Sequence, residues 1–229
     1  MIFPDDDLTR VSYINLISRH VISFPDSIGN LSSLTQLHVH HNQLTCLPDS
    51  IGELTLLTLM NVDNNELTHL PDSIGRLSSL TCLEVCHNQL THLPDSIANL
   101  ICLTGLYADE NQLTILPDAI GNLTHLGALA VSSNRLASLP DSIGTLTSLT
   151  SLSVSGNQLT RIPDSIGNLS SLDRLYAHNN RLTSLPGSMR NLSSLAFLDV
   201  RNNPITSTQA GKLLVKWQFW RFGLDIVVD

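Results

Sequence analysis

Aromatic side chains are scarce. Phe, Trp and Tyr together make up 4% of the 229 residues, while 42% of the chain is hydrophobic, so any core must be aliphatic. Long apolar runs are absent, with nothing near the roughly 18 residues a membrane helix requires. Basic charge is also low: 12 Lys and Arg stand against 20 Asp and Glu, a formal net charge of −8. Nucleic acids and anionic membranes attract basic surfaces, so neither is expected as a partner. The opening segment, Met1 to Asp7, has neither a basic stretch nor an apolar one, and no secretory leader is expected from it. Cys46, Cys82, Cys86 and Cys102 do not bracket the chain ends as clamping disulfides would. A reducing, cytoplasmic setting is the corresponding expectation. There is no phosphate-cradling glycine loop and no GxSxG elbow. No catalytic residue, metal or cofactor is therefore assigned.

What the chain has is a period. Prolines recur at Pro25, Pro48, Pro71, Pro94, Pro117, Pro140, Pro163 and Pro186, each 23 residues after the last. Asparagines keep the same interval at Asn42, Asn65, Asn88, Asn111, Asn134, Asn157, Asn180 and Asn203. Between these markers lies LxxLxLxxNxL, as in Leu34, Leu37, Val39, Asn42 and Leu44. Leu47, Ile51 and Leu54 complete the apolar set of that unit. The alternation Leu37-His38-Val39 reads inward, outward, inward, which makes a short strand. Equivalent strands then pair in parallel along one sheet. Pro48 to Gly52 is long enough only for a single 3₁₀ or α turn. Asp26, Asp49, Asp72, Asp95, Asp118, Asp141 and Asp164 open those turns and suit the positive end of their dipoles. One unit buries too little to offset the entropy of ordering it, so the units must stack. The asparagine series is expected to hold backbone groups between neighbouring units. The Asn-X-Ser/Thr triplets at Asn30, Asn122, Asn168 and Asn191 are by-products of the repeat.

This pattern resembles the leucine-rich-repeat family over nearly the whole chain. Its LPxxIGxL variant is similar to the Ras-suppressor and plant intracellular Ras-group class. Similar arrays occur in bacterial proteins, including effectors injected into host cells. The resemblance implies an α/β fold: a right-handed leucine-rich-repeat solenoid, or horseshoe, with a parallel concave sheet and short helical turns on the convex side. It also implies a non-enzymatic module that binds a folded protein on the concave face, monomeric when free. A bacterial effector that inhibits or masks a host protein or another effector is the sharper form of this expectation. A targeting or scaffold subunit for an enzyme carried elsewhere is the alternative.

Three segments are expected. Residues 1–24 form an N-terminal capping half-repeat, with Val11, Ile14, Leu16, Val21 and Phe24 in register and Arg19 in place of the ladder asparagine. Residues 25–205 carry the repeats. Residues 206–229 form a C-terminal cap, a helix with Leu213, Leu214, Trp217 and Trp220, then a short strand near Ile226.

Core positions are fixed by packing, so binding must use the outward positions of the strands and the turns after them. The expected contact residues are Tyr13, His38, His40, Asp63, Glu84, Tyr107, Asp109, Glu110, Ser132, Ser153, Arg174, Tyr176, His178, Phe197, Asp199 and Arg201. All three tyrosines of the chain are among them, and tyrosine is favoured at interfaces. The stretch from Ala128 to Gly156 puts small residues at the middle of the face. Charge is divided along it: Asp63, Glu66, Glu84, Asp109 and Glu110 come early, Arg135, Arg174, Arg181 and Arg201 late. A remote chemical alternative is metal or thiol chemistry around His40, Asp63 and Cys86, which share one register.

Overall fold

The structure is a computed structural model that describes residues 10–205 and 225–227. Ten three-residue strands lie side by side in one parallel sheet, in chain order. They are β1 Tyr13–Asn15, β2 Gln36–His38, β3 Leu59–Asn61, β4 Cys82–Glu84, β5 Gly105–Tyr107, β6 Ala128–Ala130, β7 Ser151–Ser153, β8 Arg174–Tyr176, β9 Phe197–Asp199 and β10 Asp225–Val227. Each strand pairs with its equivalent one repeat on, for example Leu37 opposite Met60. The expected solenoid with a parallel sheet and short helical turns is what forms.

The turns are five-residue 3₁₀ segments, from Asp26–Asn30 to Gly187–Asn191. Each begins after a proline whose φ, near −70° as at Pro48 (−71°), is already that of a helix entry. Seven of the eight carry the aspartate in their first turn. The segment is one turn long because the next leucine must come back inward, and Leu54 leaves the helical region at ψ 57°.

The core is a continuous aliphatic column. Leu34, Leu37, Leu44, Ile51 and Leu54 of one repeat are fully buried, and their equivalents in the following repeats are buried too, apart from the half-buried Ile205 at the end of the series. At the N-terminal end Val11, Ile14, Leu16, Val21 and Phe24 are half-buried against this column and cover its first face. At the other end β10 pairs with β9. The capping helix expected over residues 206–221 lies outside the described residues. Among the described residues, no helix is long and apolar enough to cross a membrane.

Two polar ladders join the repeats. Asn111 is 8% exposed; its Oδ1 accepts from Leu90 N at 2.9 Å and its Nδ2 donates to Val85 O at 2.9 Å. The same amide geometry recurs at the other ladder asparagines, so each fixes the turn of the repeat before it. A threonine ladder runs beside the strands. Thr58 Oγ1 donates to Thr35 O, Thr81 to Thr58 O and Thr104 to Thr81 O.

Candidate functional site

Strand alternation places every second side chain on the outward face of the sheet. Register then sorts these side chains into rows. One row runs Asn15, His38, Asn61, Glu84, Tyr107, Ala130, Ser153, Tyr176, Asp199. A second runs Tyr13, Gln36, Leu59, Cys82, Gly105, Ala128, Ser151, Arg174, Phe197. Just beyond the strands a third set follows the repeat: His40, Asp63, Cys86, Asp109, Ser132, Ser155, His178 and Arg201.

The early end is aromatic and rich in histidine. Tyr13, 52% exposed, lies against His38 with ring centres 5.4 Å apart, and His38, His40 and His41 follow edge to face. Next comes an acidic zone. Glu84 accepts from the Asn61 amide and, at 3.5 Å, from the Cys82 thiol. Asp63 accepts from Cys86 N at 2.5 Å, and Asp109 from Ser132 N at 2.6 Å. Burial pushes the carboxyls of both Asp63 and Asp109 above their ordinary value of 3.8, against the opposing pull of those backbone N–H bonds. Glu84 adds its charge to the rise at Asp63. No Lys or Arg pairs with either aspartate among the described residues. Glu110 has a partner, His87, at 2.8 Å.

Tyr107 closes the acidic zone. Its ring folds back along its own strand over Gly105, and burial raises its hydroxyl pKa. Past it the floor drops to Ala128, Ala130, Ser151 and Ser153, with Ser132 and Ser153 joined through their hydroxyls at 2.6 Å. Tyr176, tilted against Phe197 with ring centres 5.1 Å apart, marks the far wall.

At the late end the placement differs from the sequence expectation. Asp199 is not an outward contact group: it is 2% exposed and held by Arg201, whose Nη2 reaches Oδ2 at 2.7 Å, and by His178 at 3.2 Å. The Arg201 hydrogen bonds hold its carboxyl below the usual 3.8. Arg174 is engaged with Asp173 at 3.3 Å. Arg135 and Arg181 are exposed and have no ion-pair partner among the described residues.

The chemical alternative at His40, Asp63 and Cys86 meets an obstacle. Burial pushes the Cys86 thiol up to about 12 and the Cys82 thiol up to about 11, with neighbouring carboxylates adding to both. A nucleophilic cysteine needs the opposite shift. Among the described residues no three His, Cys, Asp or Glu side chains converge as metal ligands. Sequence reasoning missed the roles of Gly105, the seat of Tyr107, and of Ser155, which bonds His178 at 2.9 Å.

Comparison with known proteins agrees with the architecture. No curated protein matches the sequence. Among solved structures, the functional domain of InlJ from Listeria monocytogenes is 25% identical with a TM-score of 0.73, over 89% of this chain and 47% of that one. A TDR receptor is 31% identical with a TM-score of 0.74, over 79% of this chain and 33% of that one. The leucine-rich-repeat ectodomain of the plant membrane receptor kinase GASSHO1/SCHENGEN3 from Arabidopsis thaliana, in complex with Casparian strip integrity factor 2, is 29% identical with a TM-score of 0.70. That likeness covers 90% of this chain and 28% of that one. The chain thus spans less than half the length of each of these three structures. The family model described as a leucine-rich repeat region matches residues 60–134 and 119–216, and a second leucine-rich-repeat model matches 33–54. With those matches taking in most of its length, the chain belongs to the leucine-rich-repeat family.

Proposed function

We propose that the outward face of the sheet binds a folded protein, seated on the floor between Tyr107 and Tyr176. One observation carries this reading: the two tyrosines share a row of register, with only Ala130 and Ser153 between them. Three strand intervals separate them, about 14 Å at ~4.8 Å each. An α-helix with its side chains is roughly 10–12 Å across. A single partner helix, laid along the strands, fits that width and contacts both rings.

Charge supports the same reading and fixes a direction. Asp63 and Asp109 sit in partly desolvated surroundings without a Lys or Arg partner among the described residues, so a partner's Lys or Arg there would relieve an existing cost. Arg135, in the β6 repeat, and Arg181, in the β8 repeat, offer the opposite charge along the floor and beyond it. A partner basic at one end and acidic at the other is therefore oriented before contact. Binding of this kind occupies or scaffolds the target and needs no group transfer.

The test is affinity capture beside the Tyr107→Ala/Tyr176→Ala variant. The proposal expects a protein retained by the native chain and lost by the variant at equal thermal stability. Retention of every captured protein by the variant would refute the floor as the binding site.

A further inference from the structure

A groove of about 1050 Å³ crosses four consecutive repeats, and no strand residue lines it. It is built from the segments that enter the 3₁₀ turns, so it is separate from the outward face of the sheet. Its apolar wall is rigid: Pro71 and Pro94 are buried, with φ of −68° and −67°. Leu70 and Leu93 back that wall and are each 3% exposed. Ile115 stands at one end, 60% exposed.

The groove is also charged in one sense. Asp49, Asp72 and Asp95 open three successive turns along it. All three are exposed, and none has a side-chain hydrogen-bond or ion-pair partner among the described residues. His69 and His92 are oriented alike, each with Nδ1 near the preceding threonine hydroxyl, at 3.0 and 3.1 Å. Position within the repeat makes the groove local rather than generic. The register that carries Cys46, His69, His92 and Ile115 inside it carries Ser138, Arg161 and Ser184 farther along. Arg161 there would repel what the carboxylates attract.

We propose that this groove is a second docking site and that its occupant is an extended basic polypeptide segment, with apolar side chains among its Lys or Arg residues. The apolar wall takes the aliphatic side chains, and the unpaired aspartates take the cations. The prolines keep the wall in place before binding, which lowers the ordering cost. Three repeat intervals, at least ~14 Å by the strand spacing, accommodate about four extended residues. The site does not depend on the sheet-face reading.

The experiment titrates the full chain into a fluorescein-labelled nonapeptide of alternating Lys and Leu and reads anisotropy. The native chain should bind saturably, and a Gln-for-Lys version of the peptide should not. Asp72→Asn/Asp95→Asn should raise Kd about tenfold, and Ile115→Ser several-fold, with thermal unfolding unchanged. Asp141→Asn/Asp164→Asn, at the same register beyond the groove, should leave Kd within about twofold. Tyr107→Ala/Tyr176→Ala should also leave it unchanged, which separates this site from the sheet face. Equal loss in both aspartate pairs would mean diffuse charge attraction and would overturn the proposal. So would loss in the tyrosine variant, or the absence of saturable binding.

Discussion

The ring of Tyr107 rests on Gly105, two residues earlier on the same strand. A Cβ at Gly105 would stand 2.8 Å from Tyr107 Cε2 and 3.2 Å from its hydroxyl oxygen. The missing side chain is what lets the ring lie flat beside the acidic zone. Gly105→Ala should therefore lift the ring without opening the core. The displaced atoms belong to the far end of a mobile side chain, and loss of a glycine lowers the entropy of the unfolded chain by ~0.4–1 kcal/mol. Urea unfolding should show stability within about 1 kcal/mol of native. Partner binding should nonetheless weaken as it does in Tyr107→Ala, which calorimetry on the captured partner would check.

Asn111 is buried between repeats, and its amide serves four backbone groups: Leu90 N, Val85 O, Ala108 O and Asp109 O. Asn111→Ala leaves the buried Leu90 N–H without its acceptor, while Val85 O and Ala108 O keep the Nδ2 groups of Asn88 and Asn134. The expected loss is about 1–3 kcal/mol, read as a lower urea midpoint at unchanged m-value. Asn42, at the half-covered N-terminal end, should cost less when replaced, because its surroundings admit water. Equal losses at the two positions would contradict the burial argument.

Much of this was legible from spacing alone. Leu34, Leu37 and Ile51 are buried because strand alternation and a fixed period allow no other arrangement, and Asn111 follows from the same period. The threonine ladder had the same signal, Thr35, Thr58, Thr81 and Thr104 at equal intervals, although period alone does not say where a hydroxyl donates. The outward face was legible as a set of positions and not as an arrangement. Asp199 occupies an outward position, yet Arg201 two residues on and His178 one repeat back enclose it. Tyr107 bends over Gly105 instead of standing upright, a choice made by its neighbours' sizes.

The carboxyls of the acidic zone set a pH dependence opposite to that of Asp199. Asp63 and Asp109 have folded-state pKa values above 3.8. Groups of that kind contribute stability fully present below 3.8 and lost as pH rises through the folded-state values. Asp63→Asn/Asp109→Asn removes this loss while an amide oxygen still accepts from Cys86 N and Ser132 N. The variant should be more stable than native at pH 7 and converge with it in acid. Asp199 has the lowered value, so its contribution is present above 3.8 and lost as pH falls through its folded-state value. Asp199→Asn should destabilise at pH 7. Thermal melts across pH separate the two signs.

Successive 3₁₀ turns touch through a glycine on one and a serine on the next. A Cβ at Gly52 would meet Ser73 O at 2.4 Å, so the backbone of the next turn would have to shift. Gly52→Ala should cost about 1–3 kcal/mol through overpacking. The hydroxyl of Ser73 is buried with no hydrogen-bond partner among the described residues, as are those of Ser50, Ser96, Ser142, Ser165 and Ser188. Ser73→Ala should therefore be neutral or add about 1 kcal/mol. The chain itself varies this contact once: where Ala98 replaces the glycine, Ala119 replaces the facing serine. Differential scanning calorimetry of the two single variants would reveal the opposed signs.

The four thiols divide by position. Cys46 and Cys102 are exposed on the outside of the repeats. Cys82 and Cys86 are half-buried on the outward face of the sheet, and burial with nearby carboxylates holds them protonated up to about 11 and about 12. Alkylation requires the thiolate, so access and charge act together. Brief iodoacetamide treatment at pH 7.5, a roughly neutral condition, should label Cys46 and Cys102 and spare the other two by peptide mass mapping. Asp63→Asn/Asp109→Asn should speed Cys86 labelling, because two of the charges that oppose its thiolate are gone. Fast labelling of Cys86 in the native chain would instead mean a stabilised thiolate, and would return the thiol reading of His40, Asp63 and Cys86 to contention.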